Sequence, residues 1–224
     1  MKLAIFDVDG TLVDSRAMIT AAMKRAFAEA GIAAPTPVRM MSIVGLSLYD
    51  AMAALTPDHG KATHHLLGDA YKQAFWELRA AKTHPEDLFE GARPLLERLH
   101  QRDDVLLGIA TGKSRRGVDH LIAAHGFEGW FTTIQTSDNH PSKPHPSMIV
   151  TALAEADCGP LDTIMIGDTS FDLLMARQAG VGAAGVSWGN HPVAQLQAAG
   201  AHRIANDFSE LETQLDSLWQ ELAA

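Results

Sequence analysis

The sequence predicts a doubly wound, parallel α/β sheet with an all-helical segment inserted after the first strand. Three observations carry this. Short runs rich in Ile, Val and Leu recur along the chain; stripes of apolar residues at helical spacing separate them; and residues 15 to about 85 hold helical stripes with no strand among them. Strands alternating with helices imply βαβ crossovers and a sheet covered on both faces.

In chain order, residues 3–6 are the first strand, an apolar run that ends at Asp7 and Asp9. Met18, Ile19, Ala22, Met23, Ala26, Phe27 and Ala30 make the first helical stripe, and Gly31 stops it, as suits a helix C-terminus. A second helix is expected over 38–55, interrupted near Gly45. A third is expected over 62–78, with Leu66, Leu67, Ala70, Tyr71, Ala74, Phe75 and Leu78 on one side. The exit, THPEDLFEGARP, has two prolines and a glycine and reads as a hinge or linker. Beyond it the stripe Ala92, Leu95, Leu96, Leu99 precedes a strand at 105–110, and Val118, Leu121, Ile122 precede one at 132–136. The stripe Met148, Ile149, Ala152, Leu153 leads to a strand at 163–166 and a helix at 173–179. Strands at 183–187 and, more weakly, 202–205 follow, and Phe208, Leu211, Leu215, Leu218 and Leu222 mark the last helix. The expected division is a core of residues 1–14 and 86–224 with the insert over 15–85.

At 224 residues, 46% hydrophobic and 20% charged, the chain can bury a sizeable core. A formal net charge of −9 with no basic run argues against nucleic acid as a partner. Any site for an anionic small ligand must then be locally positive. The lone cysteine, Cys158, has no partner for an internal disulfide or a zinc site, which fits a reducing compartment. The start, MKLAIF, reaches Asp7 too soon for a signal peptide, and no apolar stretch approaches membrane-spanning length, so a cytoplasmic protein with no membrane partner is expected.

In a parallel α/β sheet ligands bind at the carboxyl ends of the strands. Four polar signatures sit there or beside a helix start: DVDGT after the first strand, TGKS after 105–110, SKPHP at 142–146, and GDTSFD after 163–166. Side chains two apart on a strand point the same way, about 7 Å from one another, so Asp7 and Asp9 should face one cleft while Val8 packs. With Asp168 they make a hard oxygen site suited to magnesium. Thr111 and the Gly112 amide at a helix start, with Lys143 in a proline-flanked loop, can hold an anion. A cation site beside an anion site is what phosphoryl transfer requires. Asp172 falls in the first turn of a helix, where it can serve the helix dipole and support the metal site together. The eleven histidines form no ligand set and read as surface or loop residues.

DVDGTLVDS, TGK, KPHP and GDTSFD, in this order over almost the whole chain, resemble the haloacid dehalogenase superfamily of hydrolases. The resemblance implies a Rossmann-like core, and it makes the helical insert a mobile cap of the kind typical of phosphoglycolate phosphatases, sugar-phosphate phosphatases and β-phosphoglucomutases. It implies that Asp7 is the nucleophile, that Asp9 is the acid and then the base, and that Mg²⁺ is held by Asp7, Asp168 and the Asp9 backbone carbonyl. Thr111, Gly112 and Lys143 would hold the transferring phosphoryl group, with Asp172 in support. Dehalogenases and phosphonatases of the superfamily lack an Asp at the position of Asp9. β-Phosphoglucomutases carry a His where this chain has Ile19. The expectation is therefore a phosphatase acting on a small phosphorylated metabolite. A phosphomutase, an inorganic or nucleotide pyrophosphatase, and a catalytically silent regulatory module are the alternatives. Gly45, Leu46 and Ser47 are the expected specificity loop. Arg115 and Arg116 either read a second anionic group or form a solvated helix face.

Overall fold

A computed structural model gives the arrangement of residues 1–224. Strand β1 (Lys2–Phe6) is buried from Leu3 onward. β2 (Val13–Asp14) leads into four helices with no strand among them: α1 (Arg16–Glu29), α2 (Pro37–Met41), α3 (Leu48–Leu55) and α4 (Lys61–Ala80). β3 (Asp87–Leu88) then pairs antiparallel with β2, Val13 opposite Leu88, so the helical segment leaves and returns through a two-strand neck. From there strands and helices alternate: α5 (Ala92–His100), β4 (Val105–Thr111), α6 (Arg115–His125), β5 (Phe131–Thr136), α7 (Ser147–Ala156), β6 (Thr163–Gly167), α8 (Ser170–Ala179), β7 (Gly182–Val186), α9 (Val193–Ala198), β8 (Arg203–Ala205) and α10 (Phe208–Leu222).

The main sheet has six strands in the order β5-β4-β1-β6-β7-β8, paired in parallel. Alternation along β1 divides the core. Ala4 and Phe6 pack under α5, α6 and α10, in a cluster with Leu95, Val118 and Leu215. Leu3 and Ile5 pack under α7, α8 and α9, with Met148, Leu173 and Leu196. β1 lies between β4 and β6, so the loops leaving these three strands meet at the crevice where a doubly wound sheet binds ligands. The helical segment has its own apolar cluster, including Met18, Phe27, Met52, Leu67 and Phe75.

The six main strands lie within one residue of their expected bounds at either end. The second expected helix is two helices, separated by residues 42–47. Gly45 there has φ +102°, a left-handed value that an L side chain resists, and Thr36 accepts a capping bond from the Arg39 amide to start α2. β2, β3 and α9 are too short to leave a periodic signature. No helix is long and apolar enough to cross a membrane.

Candidate active site

The Asp7 amide donates to the Ile166 carbonyl at 2.9 Å, which carries the β1–β6 ladder to the end of the strand and fixes the Asp7 side chain at the crevice. Val8 is fully buried, as the alternation requires, and both Asp7 and Asp9 line a cavity of about 800 Å³. Their cationic partners differ.

Lys143 is wholly buried, although a lysine between Ser142 and Pro144 would ordinarily be a solvated surface group. Its Nζ donates to Asp7 Oδ1 at 2.8 Å and to Asp172 Oδ1 at 2.6 Å. Burial opposes the ammonium charge, but Asp172 and Asp7 outweigh it and hold Lys143 above the ordinary lysine range. Burial also pushes the Asp7 carboxyl up to about 6, against the pull of Lys143. Asp168 is pushed well above the usual carboxylate range by burial and by the charges of Asp172 and Asp7.

Asp172 divides its oxygens. Oδ2 accepts from the Thr169 amide and hydroxyl, a capping box at the start of α8, while Oδ1 takes Lys143. Helix capping and support of the site are thus combined in one carboxylate. Asp168 accepts from the Thr11 hydroxyl at 3.0 Å through Oδ1, and from the Asn190 amide and side chain through Oδ2. Gly10, at φ +92°, passes so close that a Cβ would meet Asp168 Cγ at 2.8 Å.

Asp7, Asp168 and Asp172 each bring a carboxylate oxygen within 4.8 Å of the others. Asp7 Oδ2 is buried with no hydrogen-bond partner. An unpartnered carboxylate oxygen among three buried acids suits a hard cation. The side chain of Asp9 stands outside this cluster. Where the Asp9 side chain was expected, Asp172 supplies the third carboxylate.

Asp9 is instead paired with Lys113, whose Nζ lies 2.9 and 3.1 Å from its two oxygens and 3.2 Å from Glu86. Glu86 in turn holds the guanidinium of Arg79, at 2.8 Å from Nε. A chain of three ion pairs therefore runs from Asp9 on the core to Arg79 on α4. Sequence reasoning missed Lys113, Glu86 and Arg79. Lys113 stood inside the TGKS signature, whose Thr and Gly took the attention; Glu86 and Arg79 had no motif to mark them. Thr111 is buried and its hydroxyl accepts from the Lys113 amide at 3.2 Å.

Residues 42–47 rest on the core loops. The Ser47 amide donates to Ser142 Oγ at 2.8 Å, and the Gly45 and Leu46 carbonyls lie against Gly112. The three residues expected to form a specificity loop thus sit over Gly112 and beside the segment that carries Lys143. His191 lies in the loop between β7 and α9, as expected of the histidines, but it is not solvated. It is 5% exposed, and its Nδ1 accepts from the Ser170 amide, which leaves Nε2 to donate to the Ser42 carbonyl at 3.2 Å. Burial lowers its tendency to protonate. Arg115 and Arg116 part company. Both are exposed, but Arg115 pairs with Asp119, whereas Arg116 lines the cavity and lies over the Trp76 ring, 3.8 Å from its centroid. Consecutive helical residues point about 100° apart, so only one of the pair can face the site.

The family model described as haloacid dehalogenase-like hydrolase matches residues 4–186. The chain is 33% identical over 214 residues to the probable phosphatase IndB of Dickeya dadantii, spanning 93% of this chain and 91% of that protein. It is 25% identical over 223 residues to the phosphoglycolate phosphatase of Vibrio parahaemolyticus, spanning 94% of each. A solved hydrolase from Pseudomonas syringae superposes with a TM-score of 0.85 at 26% identity, covering 97% of this chain and 99% of that one.

Proposed function

The chain belongs to the haloacid dehalogenase-like hydrolase family, and we propose that it is a Mg²⁺-dependent phosphatase that cleaves a small phosphorylated metabolite through an aspartyl-phosphate. One observation carries the reading: a buried lysine is clamped between two buried carboxylates, one of which, Asp7, lines the cavity and keeps an oxygen without a partner. Such an arrangement is costly for folding alone and suits a site that must hold a phosphoryl dianion beside a carboxylate nucleophile.

In this reading Asp7 attacks phosphorus with a carboxylate oxygen, and the bond to the ester oxygen breaks. Lys143, Thr111 and the Gly112 amide hold the phosphoryl oxygens. Asp9, in the same cavity, gives a proton to the departing alcohol and then takes one from the water that attacks the acyl phosphate, returning Asp7 and releasing phosphate. Lys113 fixes the Asp9 carboxylate on the leaving-group side. Mg²⁺ would be held by Asp7, Asp168 and the Asp9 carbonyl, with Asp172 in support; when bound it neutralises charge on the phosphoryl oxygens and lessens their repulsion of the nucleophile.

Residues 15–85 act as a specificity cap on a core of residues 1–14 and 86–224. The separate apolar cluster and the β2–β3 neck support that division, and the contacts of Gly45 and Ser47 with the core loops support their place at the substrate entrance. Phosphoglycolate is the substrate type favoured by the relative named as a phosphoglycolate phosphatase, and a sugar phosphate is favoured only by the resemblance of the helical insert. A reducing, cytoplasmic setting suits the unpaired Cys158.

The purified protein should hydrolyse p-nitrophenyl phosphate with Mg²⁺ and lose that activity in EDTA. Asp7→Asn should abolish turnover and any acid-stable incorporation of labelled phosphate. Full activity in that variant would rule out the covalent route.

A further inference from the structure

Arg79 lines the cavity from the last turn of α4. Its side chain is 10% exposed. Nε and Nη2 are both committed to Glu86 Oε2. Nη1 is buried and has no acceptor. A guanidinium carries five N–H donors and no acceptor, and an unmet buried donor on a charged group is costly. The surroundings leave that charge only partly compensated. Arg79, Lys113 and Arg116 gather around Phe75 and Trp76, while Asp9 and Glu86 are their only ion-pair partners there. Arg116, at the exposed rim, forms no ion pair and lies over the same Trp76 ring that Arg79 approaches at 4.9 Å. In a chain of net charge −9, a local surplus of cations against the wall of the cavity calls for an anion.

The ion-pair chain fixes where that anion belongs. Arg79 connects through Glu86 and Lys113 to Asp9, the group assigned to the leaving oxygen, rather than to Lys143 and Asp7. We propose that Arg79, with Arg116 beside it, is a specificity-determining residue that binds a second anionic group on the leaving-group half of the substrate. The substrate class is then an ester whose alcohol carries its own carboxylate or phosphate, and simple neutral alkyl phosphates are poor substrates. The planar fork of Arg79 suits either oxyanion. This inference rests on the phosphatase reading above.

The test compares matched pairs of esters on the Mg²⁺-loaded full chain. 2-Phosphoglycolate against ethyl phosphate reads a carboxylate; propane-1,3-diol bisphosphate against 3-hydroxypropyl phosphate reads a second phosphate. The wild type should prefer the doubly anionic member of at least one pair by on the order of tenfold or more in kcat/KM, the size expected for one charged hydrogen bond. The pair that shows the preference identifies the anion. Arg79→Met should bring that ratio close to one, mainly through KM, and Arg79→Lys should restore part of it. Because Arg79 also holds Glu86, Arg116→Met supplies a second probe that leaves the ion-pair chain intact, and it should lower the same ratio. Equal kcat/KM within both pairs in the wild type, or a ratio unchanged in both Met variants, would overturn the assignment. Hydrolysis of any ester in the set, p-nitrophenyl phosphate included, separates the two levels: if it proceeds and the pairs show no preference, only the Arg79 assignment falls; if every ester is inert, the phosphatase reading falls and takes this one with it.

Discussion

Gly112 lies directly against Leu46. A Cβ at residue 112 would come within 2.6 Å of the Leu46 carbonyl oxygen and 2.7 Å of that of Gly45. Both contacts are with backbone, so no side chain can turn aside to make room. Glycine at this position is thus required by the seating of the insert on the core as well as by any amide it offers to phosphate.

Gly112→Ala should therefore lift residues 42–47 off the core while the sheet stays folded. The Ser47 amide, held by Ser142 at 2.8 Å, should exchange faster with deuterium. kcat/KM should fall by about tenfold to a hundredfold, as expected for a displacement near 1 Å at a reacting site. Unchanged exchange across 42–47 would show that the loop is not seated in this way in solution.

Lys143→Met should be strongly destabilising. It removes the only cation between Asp7 and Asp172 and leaves two buried carboxylates facing each other. Breaking a buried pair in this manner costs about 3–5 kcal/mol. Urea unfolding in EDTA measures the loss at fixed pH. A cost below about 1 kcal/mol, the range of exposed ion pairs, would mean that the lysine is solvated.

His191 gives the stability a pH dependence of known sign. Burial lowers its folded-state pKa below the unfolded value, so the unfolded chain binds the extra proton first. The stability it contributes is present above the unfolded histidine pKa and is lost as pH falls through the folded one. Protonation at Nδ1 would also break the bond from the Ser170 amide. The wild type should lose about 1 kcal/mol more than His191→Asn between pH 7.5 and pH 5, the size of one hydrogen bond. Parallel denaturation curves for the two proteins at both pH values would refute this.

Asp9→Asn should discriminate between leaving groups. p-Nitrophenolate departs without a proton, whereas an alkoxide needs one. The variant should lose roughly 10²- to 10⁴-fold on an alkyl phosphate, the usual contribution of a general acid, and markedly less on p-nitrophenyl phosphate in the first chemical step. Equal losses on both, read from burst kinetics, would assign Asp9 to another role.

The strand run was legible in the sequence because burial on both faces leaves an apolar signature that few other structures share. Asp7, Asp9, Thr111, Asp168 and Asp172 were visible as a set, since each stands at or beside a strand end or helix start, and Lys143 was visible through the SKPHP run before α7. What Lys143 touches was not. Its chain neighbours Ser142 and Pro144 suggest an exposed loop, and its burial arises only when β1 and α8 come together over it. The chain Arg79–Glu86–Lys113–Asp9 draws on the insert, the neck and the core, so no local pattern could reveal it. Residues 42–47 were visible as a break at Gly45, but the extent of the break depends on a positive φ and on contacts with Gly112 that lie far away in sequence.

The β2–β3 neck brings the two ends of the insertion side by side, with Asp14 opposite Asp87. Two carboxylates facing each other across a strand pair weaken it, and with two residues in each strand the joint is held by few hydrogen bonds. Topologically the whole helical segment is the loop of a very short hairpin. On the proposed division it is an exchangeable cassette: a related insert could be grafted at these two positions, or a tight turn put in its place, since β2 and β3 take no part in the main sheet. Chimeras cut at this neck would carry the chemistry of one parent and the substrate preference of the other.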